Sequence, residues 1–223
     1  PTHMVGDGFR VHNFIPSGRN LDMKRMSPFI MMDYNSKFYF PPTDQPRGVG
    51  VHPHRGFETV TIAYHGKVAH HDSAGNSGVI GEGDVQWMTA ASGILHKEYH
   101  EEEFSKNGGD FQMVQLWVNL PAKDKMTTPR YQALTVSDIP RIEIDDNAGH
   151  IRVIGGEFGG HHGPAQTYSP VNVWDGELKA EYETFIHVPV THNTIVVVLS
   201  GEVLINGTQK VVDSSIVIDR KST

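Results

Sequence analysis

The residues in this chain best placed to do specific chemistry are His52 and His54, two positions apart, and His96 and Glu98, also two positions apart. Residues i and i+2 of a β-strand point to the same face. Each pair can therefore aim two coordinating atoms into one space. Two such pairs on neighbouring strands would set three imidazoles and one carboxylate around a point. That donor set suits a divalent transition metal such as iron, manganese, cobalt, nickel, copper or zinc. A lone His-x-His more often satisfies hydrogen bonds at the edge of a core, so the expectation rests on all four residues together. Glu58 competes with Glu98 for the fourth place. Alternation from His54 puts Glu58 on the same face, but Arg55-Gly56 can bend the strand between them.

Strands are what must hold these groups. Residues 57–64, 85–88, 111–118, 151–154 and 195–199 are apolar runs rich in β-branched or aromatic side chains, most of them bounded by Gly, Pro, Asn or Asp. Asn206-Gly207, between residues 203–205 and 211–212, is a strong hairpin signal. Long amphipathic helical patterns are absent. The expected class is all-β, a sandwich or barrel. His96-Lys97-Glu98-Tyr99-His100 displaces the glutamate by one position from the helical His-Glu-x-x-His of zinc proteases and lies in a strand-like context. His100 is expected to be a surface neighbour of the site. Residues 101–103, three glutamates, read as a solvated acidic loop. His70-His71 and His161-His162 read as loop or strand-end residues, and the glycine-rich residues 155–160 as a mobile connection. Phe57, Met88 and Trp117 are core residues by default, though each could line a cavity.

A chain of 223 residues can hold one large or two smaller β domains. The best linker candidate is residues 121–140, rich in Pro, Lys, Asp and Thr, and the boundary is placed after residue 125. The formal net charge of -7 argues against direct binding of nucleic acid, since such binders carry clustered positive charge. The absence of cysteine excludes disulfides and thiolate ligands and fits a reducing, cytoplasmic setting. No apolar run approaches the ~20 residues of a membrane span, and residues 1–10 lack a secretory core. A soluble monomer is expected.

The two halves resemble each other. Laying Gly66 on Gly201 sets residues 60–68 beside 195–203 and His52 beside His187, but His54 falls on Pro189. The counterpart of His96 would lie past Thr223. A duplicated barrel with one competent metal site follows.

The spacing His52-x-His54-x-x-x-Glu58, followed by residues 83–96 ending Gly93-Ile94-Leu95-His96, resembles the two motifs of the cupin superfamily. The fuller strings, residues 52–60, 83–90, 93–96 and 115–119, resemble the pirins, as do Arg19-Asn20-Leu21 and Asn172-Val173-Trp174. The resemblance spans nearly the whole chain. It implies a bicupin, two double-stranded β-helix (jelly-roll) barrels: an N-terminal cupin domain over residues 1–125 with the metal, and a C-terminal one over 126–223 without it. Pirins continue beyond the position of Thr223, so the second barrel is expected to be incomplete at its C-terminus. The family's ligands fall on His52, His54, His96 and Glu98, which favours Glu98 over Glu58, and iron is the first expectation for the metal. Some pirins are similar in activity to quercetin 2,3-dioxygenase. That implies a flavonol-like substrate, dioxygen, and Glu98 as general base. Others resemble redox-responsive transcription cofactors or bind metabolic enzymes, which implies a protein partner instead. Other metal-dependent cupin reactions, isomerisation among them, share the same fold.

Overall fold

The computed structural model describes residues 2–18 and 21–218; Arg19, Asn20 and Thr223, which entered the sequence reading, lie outside them. The first half contains strands β1 (His3–Val5), β2 (Phe9–Ile15), β3 (Phe29–Phe40), β4 (Gly48–His54), β5 (Phe57–His65), β6 (Val68–Asp72), β7 (Ser77–Ile80), β8 (Val85–Thr89), β9 (Ile94–His100), β10 (Gly109–Asn119) and β11 (Arg130–Leu134). Two short helices interrupt them, α1 (Met23–Met26) and α2 (Glu102–Asn107). The second half carries β12 (Arg141–Ile144), β13 (Gly149–Gly155), β14 (Glu157–Phe158), β15 (His161–His162), β16 (Val173–Leu178), β17 (Ile195–Val198), β18 (Glu202–Ile205), β19 (Gln209–Val212) and β20 (Ser215–Ile218). All five apolar runs contribute to strands. None of the described helices is long and apolar enough to cross a membrane.

Two antiparallel sheets build the first half. A seven-stranded sheet runs β1-β2-β3-β10-β5-β8-β11, and a four-stranded sheet runs β4-β9-β6-β7. Alternation assigns the two faces of the large sheet. Val60 and Ile62 on β5, Val85 and Trp87 on β8, and Val114, Leu116 and Val118 on β10 share one face. They pack with Ile154, Val171 and Val173 of the second half. The intervening residues Thr61, Gln86 and Gln115 turn the other way and reach Glu98 on the small sheet. The large sheet is thus a wall between the two halves, and the metal-candidate residues lie on its far side from the second half.

Several links fasten the halves, among them three sets of side-chain bonds at that wall. Tyr34 donates its hydroxyl hydrogen to the carbonyl of Leu199 (2.9 Å). Arg152 pairs with Asp175 (2.8 Å) while donating to the carbonyl of Gly83 (2.6 Å). Tyr64 donates to the same Asp175 (3.0 Å). β11 lies past the expected boundary at 125, yet it pairs with β8 of the first sheet in continuous register from Arg130↔Thr89 to Leu134↔Val85.

The internal repeat is visible at its turns. Gly66 and Gly201 follow equivalent strands with φ of 81° and 80°, a left-handed conformation that a side chain disfavours. Asn206 and Gly207 both have positive φ and close the β18–β19 hairpin, as their order predicts. One local expectation is corrected and two are given their place. The acidic residues 101–103 are not a loop: Glu101 caps α2 by accepting from the backbone N–H groups of Glu103 and Phe104, and the next two glutamates form its first turn, where negative charge is favourable. The glycine-rich 155–160 stretch connects β13 to the β14–β15 ribbon and carries strand β14 within it, with Gly159-Gly160 at the turn of that ribbon. His161 and His162, expected in a loop or at a strand end, form the two-residue strand β15 and are exposed.

Candidate metal centre

β4 and β9 are antiparallel neighbours, with His52 opposite His96 and His54 opposite Ile94. An irregularity between Val49 and His52 shifts the register of β4, so that both of its histidines turn inward toward β9. On β9 the buried residues are Ile94, His96, Glu98 and His100, alternating with more exposed ones. His96 and Glu98 thus share the buried face of β9, but the group of ligand atoms that comes together holds His52, His54 and His96 and not Glu98.

Among the described residues, one group of His, Cys, Asp or Glu brings three ligand atoms within 4.8 Å of one another: His52, His54 and His96. The Nε2 atom of His52 stands 3.1 Å from Nε2 of His54 and 3.0 Å from Nε2 of His96. The other nitrogen of His52 lies 2.8 Å from the carbonyl oxygen of Gly50. A carbonyl can only accept, so Nδ1 of His52 carries the proton and Nε2 presents a lone pair to its two neighbours. Burial, reinforced by repulsion from His96 and His52, lowers His54 to about 4. Burial, with His52 and His70 adding to it, lowers His96 to about 3. Both are therefore uncharged at neutral pH. Uncharged imidazole nitrogens crowded at this spacing are what a cation satisfies. Two nitrogens bound at about 2.1 Å and a right angle to one ion stand roughly 3.0 Å apart. The donor set and its spacing fit a transition metal.

Phe57 and Trp117 stack on each other with centroids 4.5 Å apart, and both meet the His54 ring edge-on at 5.0 and 5.1 Å. They restrict the rotation of His54 and form an aromatic wall beside the three nitrogens. Met88 instead packs with Ala90 and Ile94 in a small apolar cluster against Tyr131.

Glu98 is buried two residues along β9 from His96, and each of its oxygens is engaged. Oε1 accepts from the Thr61 hydroxyl (3.3 Å) and the Gln86 amide (3.1 Å), while Oε2, among the described residues, accepts from the Gln115 amide alone (2.9 Å). Its negative charge also acts on His54, raising that ring's proton affinity against the larger lowering effects. Glu58 faces the opposite way. Gly56, with φ of 80°, breaks the chain between β4 and β5 and resets the alternation. Glu58 thus shares a face with Val60 and Ile62, and its oxygen accepts from Thr89 (2.7 Å). Burial raises its pKa.

Two histidines differ from their sequence reading. His100 is not on the surface: it is 1% exposed, donates Nε2–H to the carbonyl of Gly8, and is enclosed by Phe9, Phe40, Phe104 and Phe111. His70 is not a loop residue: it lies within β6, fully buried, with Nδ1 3.3 Å from Nδ1 of His96. The Val68-x-His70-x-Asp72 alternation on a short strand is the one sequence signal that could have revealed it.

The pirin family pattern matches residues 8–118, from the start of β2 to the end of β10. A Pseudomonas aeruginosa protein that carries the provisional name quercetin 2,3-dioxygenase is 57% identical over 199 residues, covering 89% of this chain and 69% of the relative. A crystal structure described as quercetin 2,3-dioxygenase from Acinetobacter baumannii superposes with a TM-score of 0.94 at 49% identity, covering all of this chain and 77% of the other. A bacterial pirin from Escherichia coli in complex with nickel(II) shares the fold, with a TM-score of 0.56 at 17% identity over 99% of this chain and 87% of that one. The chain spans between 56% and 63% of the length of three plant pirin relatives. The two-sheet barrel, its half-matching partner and relatives of this identity along most of the sequence agree: the chain belongs to the pirin family and has the bicupin fold.

Proposed function

We propose that this chain holds one divalent transition metal through His52, His54, His96 and Glu98 and serves a dioxygenase reaction of the quercetin 2,3-dioxygenase type. The observation that supports this most is the meeting of three imidazoles, with Nε2 of His52 at 3.1 Å from that of His54 and 3.0 Å from that of His96; Glu98, buried on the same face of β9 as His96, is the fourth ligand by proposal. The name of the P. aeruginosa relative, the description of the A. baumannii structure and the nickel(II) in the E. coli pirin point the same way. Imidazole and carboxylate donors suit iron, and they also accept manganese, nickel, cobalt, copper or zinc. When bound, such an ion supplies Lewis acidity toward a substrate hydroxyl and a redox centre for dioxygen chemistry.

The side chains of this protein then have distinct tasks. Oε2 of Glu98 accepts a single hydrogen bond, so one lone-pair direction stays open on it. That oxygen can complete the ligand set or accept the proton of an approaching flavonol 3-hydroxyl, as a general base does. Thr61, Gln86 and Gln115 hold the carboxylate from the opposite sheet, so proton acceptance needs no large side-chain movement. The Phe57–Trp117 pair offers a flat apolar face to a planar aromatic substrate next to His54. Opening the flavonol's central ring consumes one dioxygen and releases one carbon monoxide, so the uptake of one gas and the release of the other can both be followed.

The test is loss of quercetin with release of carbon monoxide by metal-loaded protein, set against Glu98→Ala. Loss of a general base costs about a hundredfold or more in rate, and that is the drop expected. Absence of turnover with each of iron, manganese, nickel, cobalt and copper overturns the proposal.

A further inference from the structure

Behind His96 lies a chain of buried groups whose partners leave little choice about where the protons sit. Asp72 and His70 have fully buried side chains, and Nε2 of His70 lies 2.9 Å from Oδ2 of Asp72. The opposite nitrogen of His70 lies 3.3 Å from Nδ1 of His96. On β6 and β9 these groups interlock by register, with Asp72 opposite His96 and His70 opposite Glu98. Asp72 is anchored by its own turn: Oδ1 accepts from the backbone N–H groups of Ala74 (2.9 Å) and Asn76 (3.0 Å). Tyr131 covers the His70 ring in a stacked arrangement with centroids 4.9 Å apart, and its hydroxyl donates to Oε1 of Gln86, whose amide donates to Glu98.

We infer that Asp72 and His70 are positioning residues that fix the proton of His96 on Nδ1 and so turn its Nε2 lone pair toward His52 and His54. The carboxylate oxygen can only accept, so it claims the Nε2 proton of His70. A singly protonated His70 then presents a lone pair at Nδ1, and His96 donates its own Nδ1 proton there. Nε2 of His96 is left bare, 3.0 Å from Nε2 of His52. A metal-binding histidine is commonly oriented by a partner on its other nitrogen, and loss of that partner weakens metal binding ten- to a hundredfold. His52 uses the Gly50 carbonyl in this way; His96 reaches a carboxylate through an intervening ring. The inference rests on the proposed metal site for its second readout only, because the proton positions exist in the metal-free protein.

Nitrogen-15 NMR of the histidine rings in the metal-free full chain reads the pattern directly. The expected result is Nε2–H on His70 and Nδ1–H on His96. A proton on Nδ1 of His70, or on Nε2 of His96, overturns the inference. Asp72→Asn supplies the second arm. Its amide oxygen can keep the turn bonds from Ala74 and Asn76, while its NH2 group faces His70 and reverses both rings; the Asn76 side-chain amide, which donates to both Asp72 oxygens, keeps its bond to the remaining one. Cobalt(II) affinity should fall ten- to a hundredfold with the melting temperature of the metal-free protein little changed, and His70→Asn should retain more affinity than His70→Ala. Unchanged cobalt(II) affinity in Asp72→Asn overturns the inference. Wild-type protein that shows the expected ring protons yet binds no cobalt(II) overturns the metal site and leaves the proton pattern standing.

Discussion

Glu58 and Glu98 are both buried carboxylates near the same strands, but they meet different partners. Glu98 receives three side-chain donors from the opposite sheet, while Glu58 has the Thr89 hydroxyl and an apolar face. Burial raises the folded-state pKa of Glu58 above its ordinary 4.5. Between 4.5 and that raised value the folded chain binds more protons than the unfolded one, so this group's contribution to stability falls as pH rises through the window. Glu58→Gln keeps an acceptor for Thr89 and removes the ionisation. Urea unfolding across that window should lose the downward slope contributed by Glu58, while metal content stays at wild-type level; a variant that loses its metal would place Glu58 in the site instead. The ligand candidates were legible in the sequence because each pair sits at i and i+2, a spacing whose meaning on a strand is local. His70 and His100 were not legible, because their burial depends on neighbours distant along the chain. His70 is covered by Tyr131 from β11, and His100 by Phe9, Phe40, Phe104 and Phe111 from four elements.

At the scale of elements, the turn at Arg55-Gly56 decides which residues of β5 face the metal candidates. Gly56 has φ of 80°, and its carbonyl accepts from the Lys125 ammonium, which also donates to Asn119. A Cβ at this position would meet only the Lys125 side chain, at 3.5 Å, so space is not the obstacle. The cost of Gly56→Ala is conformational, about 1–2 kcal/mol for a left-handed residue with a side chain. Thermal unfolding should show that loss. A cobalt(II) titration should show weaker binding as well, because the turn sets His54 against Phe57 and Trp117. The sequence could suggest a bend at Arg55-Gly56 but not its sense, since glycine allows several. Only the pairing of Glu58 with Thr89 and of Val60 with Trp87 shows which face each residue took.

Across the whole molecule, the large sheet serves two cores at once. Its apolar face is shared with the second half, and its polar face supplies the donors that hold Glu98. The Arg152–Asp175 pair, mostly buried, joins β13 and β16 to each other, to Gly83 and to Tyr64. Asp175→Ala leaves the guanidinium without its carboxylate and the Tyr64 hydroxyl without its acceptor. Removal of one member of a buried pair costs about 3 kcal/mol, so the urea midpoint should fall clearly. Metal stoichiometry should persist below the transition, since the candidate ligands lie on the other side of the sheet. The duplication of the barrel was visible in the Gly66–Gly201 alignment, which also sets Pro189 opposite His54. What no alignment of the halves could give is that β11, beyond the apparent linker, returns to the first sheet and brings Tyr131 over His70.

The metal content of the purified chain tests the central claim most directly. Elemental analysis of protein loaded with one transition metal and freed of excess should give one equivalent per chain for the wild type. His54→Ala and His96→Ala, with circular dichroism showing retained β structure, should each fall well below one. A full equivalent held by either variant, or a wild type that retains none, contradicts the account.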